Sequence, residues 1–381
     1  MNAPLTWGQT AQTLAVEFAA RAAQHDREAS FPFENFHDLH RAGLLALAAP
    51  RALGGQGASL AHLGEVIGAV GQGDPATALV LTMQYIQHRS MGQRGKIWPE
   101  HLARQLVQEA VAGVSLINAL RVEPELGSPA RGGLPGTVAR QTTEGWRISG
   151  HKVYSTGVPI LKWYAVWART DEAEPRLGTF LVPAGLPGIR IVETWDHLGL
   201  RASGSHDVIL DNVLIAHDHA LDLRQPHDWA GGDPSLQADM TVLMGALYTG
   251  VARAARHWVI DFLRQRQPAS LGATLSTLPR AQEIIGQIEG WLLTNHRLIA
   301  SLARDVDAGL DVPTVESGLI KSITTNNAVQ AVQAALSLSS NHGISRKNPL
   351  ERHLRDVLCG RIHTPQDDSV HIAAGRRALG V

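Results

Sequence analysis

Val122-Glu123-Pro124-Glu125-Leu126-Gly127-Ser128, Gly150-His151-Lys152-Val153-Tyr154-Ser155-Thr156-Gly157 and Trp195-Asp196-His197-Leu198-Gly199-Leu200-Arg201-Ala202-Ser203 fall within one block, residues 114–221. The block reads as strands. Segments 114–120, 136–140, 146–149, 163–169, 178–183, 189–193 and 208–215 are short, rich in β-branched and aromatic residues, and separated by Gly, Pro and Asp turns. That spacing predicts an antiparallel barrel or sandwich. A small β domain between two helical regions also points to a ligand held at a domain junction.

The flanks carry the helical period. On the N-terminal side, residues 11–23 and 36–47 are expected helices. Pro50 and Gly54-Gly55-Gln56-Gly57 end the second, Ser59 suits the cap of the next, and Asp74-Pro75 opens another. On the C-terminal side, 236–265, 279–309, 314–338 and 349–361 are long helical runs with short links, which predicts a four-helix bundle. Residues 224–233 read as a flexible connection. The expected domains are 1–113, 114–222 and 223–381, an α+β architecture of helices, β domain and bundle.

Bulk properties narrow the function classes. With 44% hydrophobic and 18% charged residues over 381 positions, the chain can bury several cores. A net charge of −1 favours neither nucleic acid nor an anionic membrane. One cysteine, Cys359, precludes an internal disulfide or a cysteine-rich zinc site and suits a reducing cytosol. The opening residues lack a basic and then apolar signal pattern, and no apolar run approaches a membrane span. A cytoplasmic protein is the expectation. His37 and His40 share a helical face but lack further ligands, so no metal is expected. Gly71-Gln72-Gly73 lacks the preceding strand and third glycine of a dinucleotide fingerprint and reads as an interhelix loop.

Taken in order, these segments resemble the acyl-CoA dehydrogenase superfamily of flavoproteins, over nearly the whole chain. Gly43-Leu44, Pro50 and Gly54-Gly55-Gln56-Gly57 match its N-terminal segment, and Glu123-Pro124 with Gly127-Ser128 its Thr-Glu-Pro-x-x-Gly-Ser strand. Gly150-x-Lys152-x-Tyr154-Ser155-Thr156 is similar to the Gly-x-Lys-x-Trp-Ile-Thr flavin strand. Leu198 to Ser203 and Glu351-Arg352-His353-Leu354-Arg355-Asp356 complete the set. The resemblance implies FAD, or FMN, and a homo-oligomer (dimer or tetramer) whose flavin site is completed across subunits. It implies that Tyr154 covers the flavin ring, that Thr156 faces N5, and that Ser128 meets the pyrophosphate. Arg266 and Gln282 stand where the family holds a neighbouring subunit's cofactor. Taken singly, Tyr154 and Thr156 are ordinary strand residues and Arg266 a solvated helix end.

Two departures bear on the reaction. Desaturation of an acyl thioester needs a carboxylate to take the α-proton. The family's two usual positions for that base fall on Thr364 and Met240, and its acyl-CoA arginine falls on Thr241. Asp239, Asp367 and Asp368 are the nearest replacements. The branch resembling dibenzothiophene monooxygenase needs no such base. It carries a hydroxyl run like Ser155-Thr156-Gly157 and a pair like His363-Thr364, and it implies a separate flavin reductase. Its further histidines correspond to Gln84 and Gln366, with His88 one turn on from Gln84. Three readings stay open: a monooxygenase, with His363, Thr156 and Ser155 as catalytic residues acting on a small molecule; a dehydrogenase with a displaced base acting on an acyl thioester; and a non-catalytic binder of flavin or acyl ligand.

Overall fold

Two helical regions enclose one β-sheet in the computed structural model, which describes residues 5–93, 98–126, 133–229 and 233–381. The first region contains α1 (Trp7–Glu28), α2 (Phe33–Arg41), α3 (Leu60–Gly73), α4 (Pro75–Ser90) and α5 (Glu100–Ala112). Ser59 caps α3 by accepting from the His62 amide. Asp74 caps α4 through the Ala76 and Thr77 amides, with Pro75 in the first turn; such caps are worth about 1 kcal/mol each. The helix expected to reach residue 47 stops at Arg41. Gly43 takes a positive φ of 71°, and the chain continues as turns to Ala48. Gly71 and Gly73 are the last turn of α3, not a loop.

The sheet holds β1 (Leu116–Leu120), β2 (Val138–Gln141), β3 (Trp146–Ser155), β4 (Leu161–Thr170), β5 (Leu177–Pro183), β6 (Ile189–Val192), β7 (His206–Ile215) and β8 (Ala220–Arg224). Its order is β6-β7-β3-β2-β4-β5-β8, with β1 beside β4. Most pairs are antiparallel, as expected, but β1 and β2 each run parallel to β4. Neither joins β4 directly: the chain reaches β4 from β1 through β2 and β3, and from β2 through β3, the crossovers that parallel neighbours require. The expected flexible connection begins as the end of β8, continues as a 3-10 turn at Pro226–Trp229, and meets Asp233, the cap of the next helix.

The second helical region contains α6 (Pro234–Gln265), α7 (Pro279–Asp307), α8 (Thr314–Ser339), α9 (Leu350–Leu358) and α10 (Asp367–Leu379). A buried apolar cluster runs from α1 through the sheet into the bundle, with Phe18, Tyr85, Phe180, Val242 and Val332 fully enclosed. Glycines bring α3 against α6. A Cβ on Gly71 would lie 2.8 Å from the Leu247 carbonyl oxygen, and one on Gly250 2.5 Å from that of Gly68. Only hydrogen side chains permit that approach. Among the described residues, no helix is long and apolar enough to cross a membrane.

Candidate active site

The tip of β3 is built from beneath. Lys152 is fully buried, and its ammonium donates to Glu123 Oε1 and to the Trp167 carbonyl, both at 2.6 Å. Glu123 also accepts from the Gly136 and Thr137 amides and from the Thr137 hydroxyl. Lys152 and those donors hold the Glu123 carboxyl below its ordinary range although burial opposes them. Burial outweighs the carboxylate for the lysine, whose pKa falls to about 8. The Glu-Pro and Gly-x-Lys segments thus form one buried brace.

Above it the ladder between β3 and β7 slips between Lys152 and Ser155, and Tyr154 takes a positive φ of 56°. A bulge of this kind re-aims side chains, and a non-glycine residue held there costs about 1–3 kcal/mol. Tyr154 is turned outward, 56% exposed, edge-on to Trp195 and His197, whose rings stack at 3.7 Å. Thr156 faces inward. Its hydroxyl is 3.0 Å from Ser205 Oγ, which is 2.8 Å from Ser203 Oγ, and its carbonyl accepts from Asn118 on β1. Ser155 Oγ is buried with no hydrogen-bond partner among the described residues. Gly157, at φ 79°, admits Val80 of α4. Ser128 lies outside the described residues.

Two other segments tie this edge to α9. Arg355 grips Asp26 of α1 through both terminal nitrogens, at 2.8 and 2.6 Å, and donates to the Leu198 carbonyl. Asp356 accepts from the Leu200 amide at 2.7 Å, and burial raises its pKa to about 7. Gly199 lies so close that a Cβ would sit 2.3 Å from the Arg355 carbonyl oxygen. The Leu-Gly-Leu-Arg and Arg-Asp segments are therefore one contact, which fixes the loop leading to Ser203 and Ser205.

At the far side, His363 Nε2 is 2.7 Å from the Tyr248 hydroxyl of α6, with Thr364 next in the chain. Burial, reinforced by Lys321, lowers the His363 pKa to about 4, so the ring is neutral. Lys321 of α8 is 2% exposed, its ammonium has no hydrogen-bond partner among the described residues, and Asp367 Oδ1 stands 4.0 Å away.

The three candidate carboxylates have other engagements. Asp239 is buried and accepts from Arg89 at 2.8 Å and Gln93 at 3.0 Å; it is also about 100° around α6 from Met240. Burial raises its pKa, opposed by Arg89. Asp367 accepts from Asn326 at 2.6 Å, and Asp368, in the first turn of α10, accepts from the adjacent Ser369 amide. Gln84 accepts from the Ile117 amide, which turns its amino group to the Ser115 carbonyl and to His88 Nε2. Arg266 and Gln282 come together at the α6–α7 turn, both exposed: the Arg266 carbonyl accepts from Leu275, and Gln282 donates to Ser276.

The structure brings Tyr154, Ser155 and Thr156 to one strand end and Arg266 with Gln282 to another corner. Asn118, Ser203 and Ser205 join the first group and Tyr248 pairs with His363, all unannounced by the sequence. Ser203 lies inside a recognisable segment, but the other three are fixed only by pairing and packing.

Three family models match the chain: the N-terminal domain of acyl-CoA dehydrogenase over residues 7–93, its middle domain over 121–213, and its C-terminal domain over 242–367. "Putative acyl-CoA dehydrogenase YdbM" of Bacillus subtilis (strain 168) is 32% identical over 372 residues, covering 96% of this chain and 94% of the relative. Amino sugar nitrososynthase DnmZ of Streptomyces peucetius is 28% identical over 356 residues, 91% of this chain and 86% of its own. Among solved structures, KijD3 in complex with FMN and dTDP-3-amino-2,3,6-trideoxy-4-keto-3-methyl-D-glucose superposes with a TM-score of 0.84 at 26% identity, covering 99% of this chain and 95% of KijD3.

Proposed function

The chain belongs to the acyl-CoA dehydrogenase family, and from that premise we propose that it is a flavin-dependent monooxygenase which uses reduced flavin and dioxygen on a small molecule. The observation that carries this reading is the neutral His363–Tyr248 pair, with Thr364 beside it, where the resemblance puts a carboxylate base. Proton abstraction from an α-carbon needs an ionised acceptor within reach. The remaining carboxylates suggested by sequence are bound to Arg89 and Gln93, to Asn326, or to their own helix.

The β3 tip fits a flavin. An isoalloxazine ring needs an aromatic cover and polar partners along its edge. Exposed Tyr154, the Thr156 hydroxyl and the unpartnered buried hydroxyl of Ser155 meet those needs. Tyr154 would cover the ring and Thr156 and Ser155 would face its edge, with FAD or FMN as the cofactor. Reduced flavin, when bound, supplies two electrons to dioxygen, of which one atom enters the substrate and the other leaves as water. The chain's own part is to hold the ring, to orient the substrate by hydrogen bonds, and to keep bulk water out.

Arg266 and Gln282, exposed at one corner, are suited to reach a cofactor held by a second copy, which supports a homo-oligomer. A separate reductase would deliver the reduced flavin. Similarity to an amino sugar nitrososynthase and to KijD3 makes amine-bearing sugars the first substrates to try.

The dehydrogenase reading rests on the name of the Bacillus relative and on Asp367, whose Oδ1 has no hydrogen-bond partner among the described residues. Anaerobic spectroscopy separates the two. Oxidised, flavin-loaded protein mixed with acyl-CoAs should keep its visible band. Reduced protein given dioxygen and an amine substrate should form oxygenated product. Bleaching of the band by an acyl-CoA would overturn the proposal in favour of desaturation.

A further inference from the structure

Tyr248 is fully buried, and burial drives its phenol pKa well above 10, so the hydroxyl keeps its proton. Among the described residues its one hydrogen-bond partner is Nε2 of His363, at 2.7 Å. Two arrangements satisfy that distance. If Nε2 carried the ring proton and donated to the phenol oxygen, the phenol's own proton would be enclosed without an acceptor. A buried unpaired donor is costly enough to favour the alternative about tenfold or more. The phenol therefore donates to Nε2, and the ring proton of neutral His363 sits on Nδ1. Nδ1 has no partner among the described residues, and the His363 side chain is half-buried, whereas His88 and His353 are buried.

We propose that Tyr248 is a positioning residue that fixes His363 as its Nδ1–H tautomer, so that a hydrogen-bond donor stands beside Thr364, where the resemblance puts a carboxylate acceptor. The assignment of the proton stands on geometry. Its use, donation to an oxygen atom of substrate or of activated dioxygen, rests on the monooxygenase reading. The charged groups around the pair support a neutral donor. Lys321 faces His363 from α8 and opposes a second ring proton, Asp367 of α10 faces Lys321, and Asp356 and Cys359 beside Tyr248 disfavour its ionisation.

The test is long-range proton–nitrogen NMR on protein labelled with nitrogen-15 histidine, with His363→Gln identifying the signals. The expected spectrum shows a protonated Nδ1 and a bare Nε2 that stay unchanged from about pH 8 to about pH 5.5, across the range where an ordinary histidine titrates. Tyr248→Phe should return the ring to the Nε2–H form and raise the peroxide released per dioxygen consumed. A wild-type ring protonated on Nε2, or a tautomer indifferent to Tyr248→Phe, overturns the proposal. If Tyr248→Phe does not fold, the wild-type spectrum alone decides. A switched tautomer with unchanged peroxide release would confirm Tyr248 as the positioning group and remove His363 from the oxygen chemistry.

Discussion

Replacing Glu123 by Gln should destabilise the protein in a way that depends on pH with a definite sign. Lys152 is fully buried and has two partners, Glu123 and the Trp167 carbonyl. Without the carboxylate, and with Arg121 acting on it electrostatically, the lysine would lose its proton on folding. Neutralising a lysine of ordinary pKa near 10.4 at pH 7 costs about 1.36 kcal/mol for each of about 3.4 units, or roughly 4.6 kcal/mol. The parent already bears most of that cost, because its native lysine titrates at about 8, so the extra loss from proton release in the variant is about 1.4 kcal/mol at pH 7 and about 2.7 kcal/mol at pH 6. In the variant the unfolded chain binds one more proton than the native one, so its stability rises with pH by about 1.4 kcal/mol per unit. In the parent, Lys152 keeps its proton up to its pKa of about 8, so this group adds no slope below that. The gap between them should therefore narrow by roughly 2.7 kcal/mol from about pH 6 to about pH 8, then stay constant. Lys152→Met, which removes the titrating group and leaves Glu123 with three donors, should show a gap independent of pH over that range. Urea unfolding at fixed protein concentration reads all three proteins. A gap for Glu123→Gln below about 1 kcal/mol at pH 6, or one that does not change with pH, would refute the brace.

Asp239→Asn should lower thermal stability by roughly the worth of a charged hydrogen bond, about 1.5–3 kcal/mol, and leave turnover per folded molecule unchanged. Lost turnover with an intact fold would restore Asp239 as a base. Thr156→Val keeps the Ser203–Ser205 contact and should cost only about 1 kcal/mol of stability while altering the visible spectrum of bound flavin and lowering activity. An unaltered spectrum and rate would remove Thr156 from the flavin edge.

The fold was legible where the pattern was long. Capping residues at Ser59 and Asp74 and the change from helical to alternating period located the helices and most strands. Errors arose where a single backbone choice decided the outcome. Gly43 in a left-handed conformation ended α2 early, and Gly71 and Gly73, read as a loop, are helix positions chosen for close packing. β8 has only five residues, and α10 buries Val370 alone, so neither presents an apolar pattern that local sequence could reveal.

The site was legible only as segments. Sequence could single out Glu123, Lys152, Arg355 and Asp356, yet their work is to join segments far apart in the chain: Glu123 to Lys152, Arg355 to Asp26, Asp356 to Leu200. The bracing residues are thus recognisable, because the scaffold repeats their geometry whatever reaction it carries. The residues that bear on the proposed reaction are Ser205, Asn118 and Tyr248, and each becomes meaningful through one hydrogen bond across more than thirty residues of sequence. The tautomer of His363 is the limiting case. Its residue type says that a proton can be given or taken, but the direction depends on a phenol 115 positions away with no other acceptor among the described residues. Beside Thr364, where the resemblance puts a carboxylate, that phenol makes the histidine a donor, and a donor cannot begin a desaturation by removing a proton from carbon. The choice between the two chemistries therefore turns on the contents of the base position, while the brace that holds the strand edge is compatible with both.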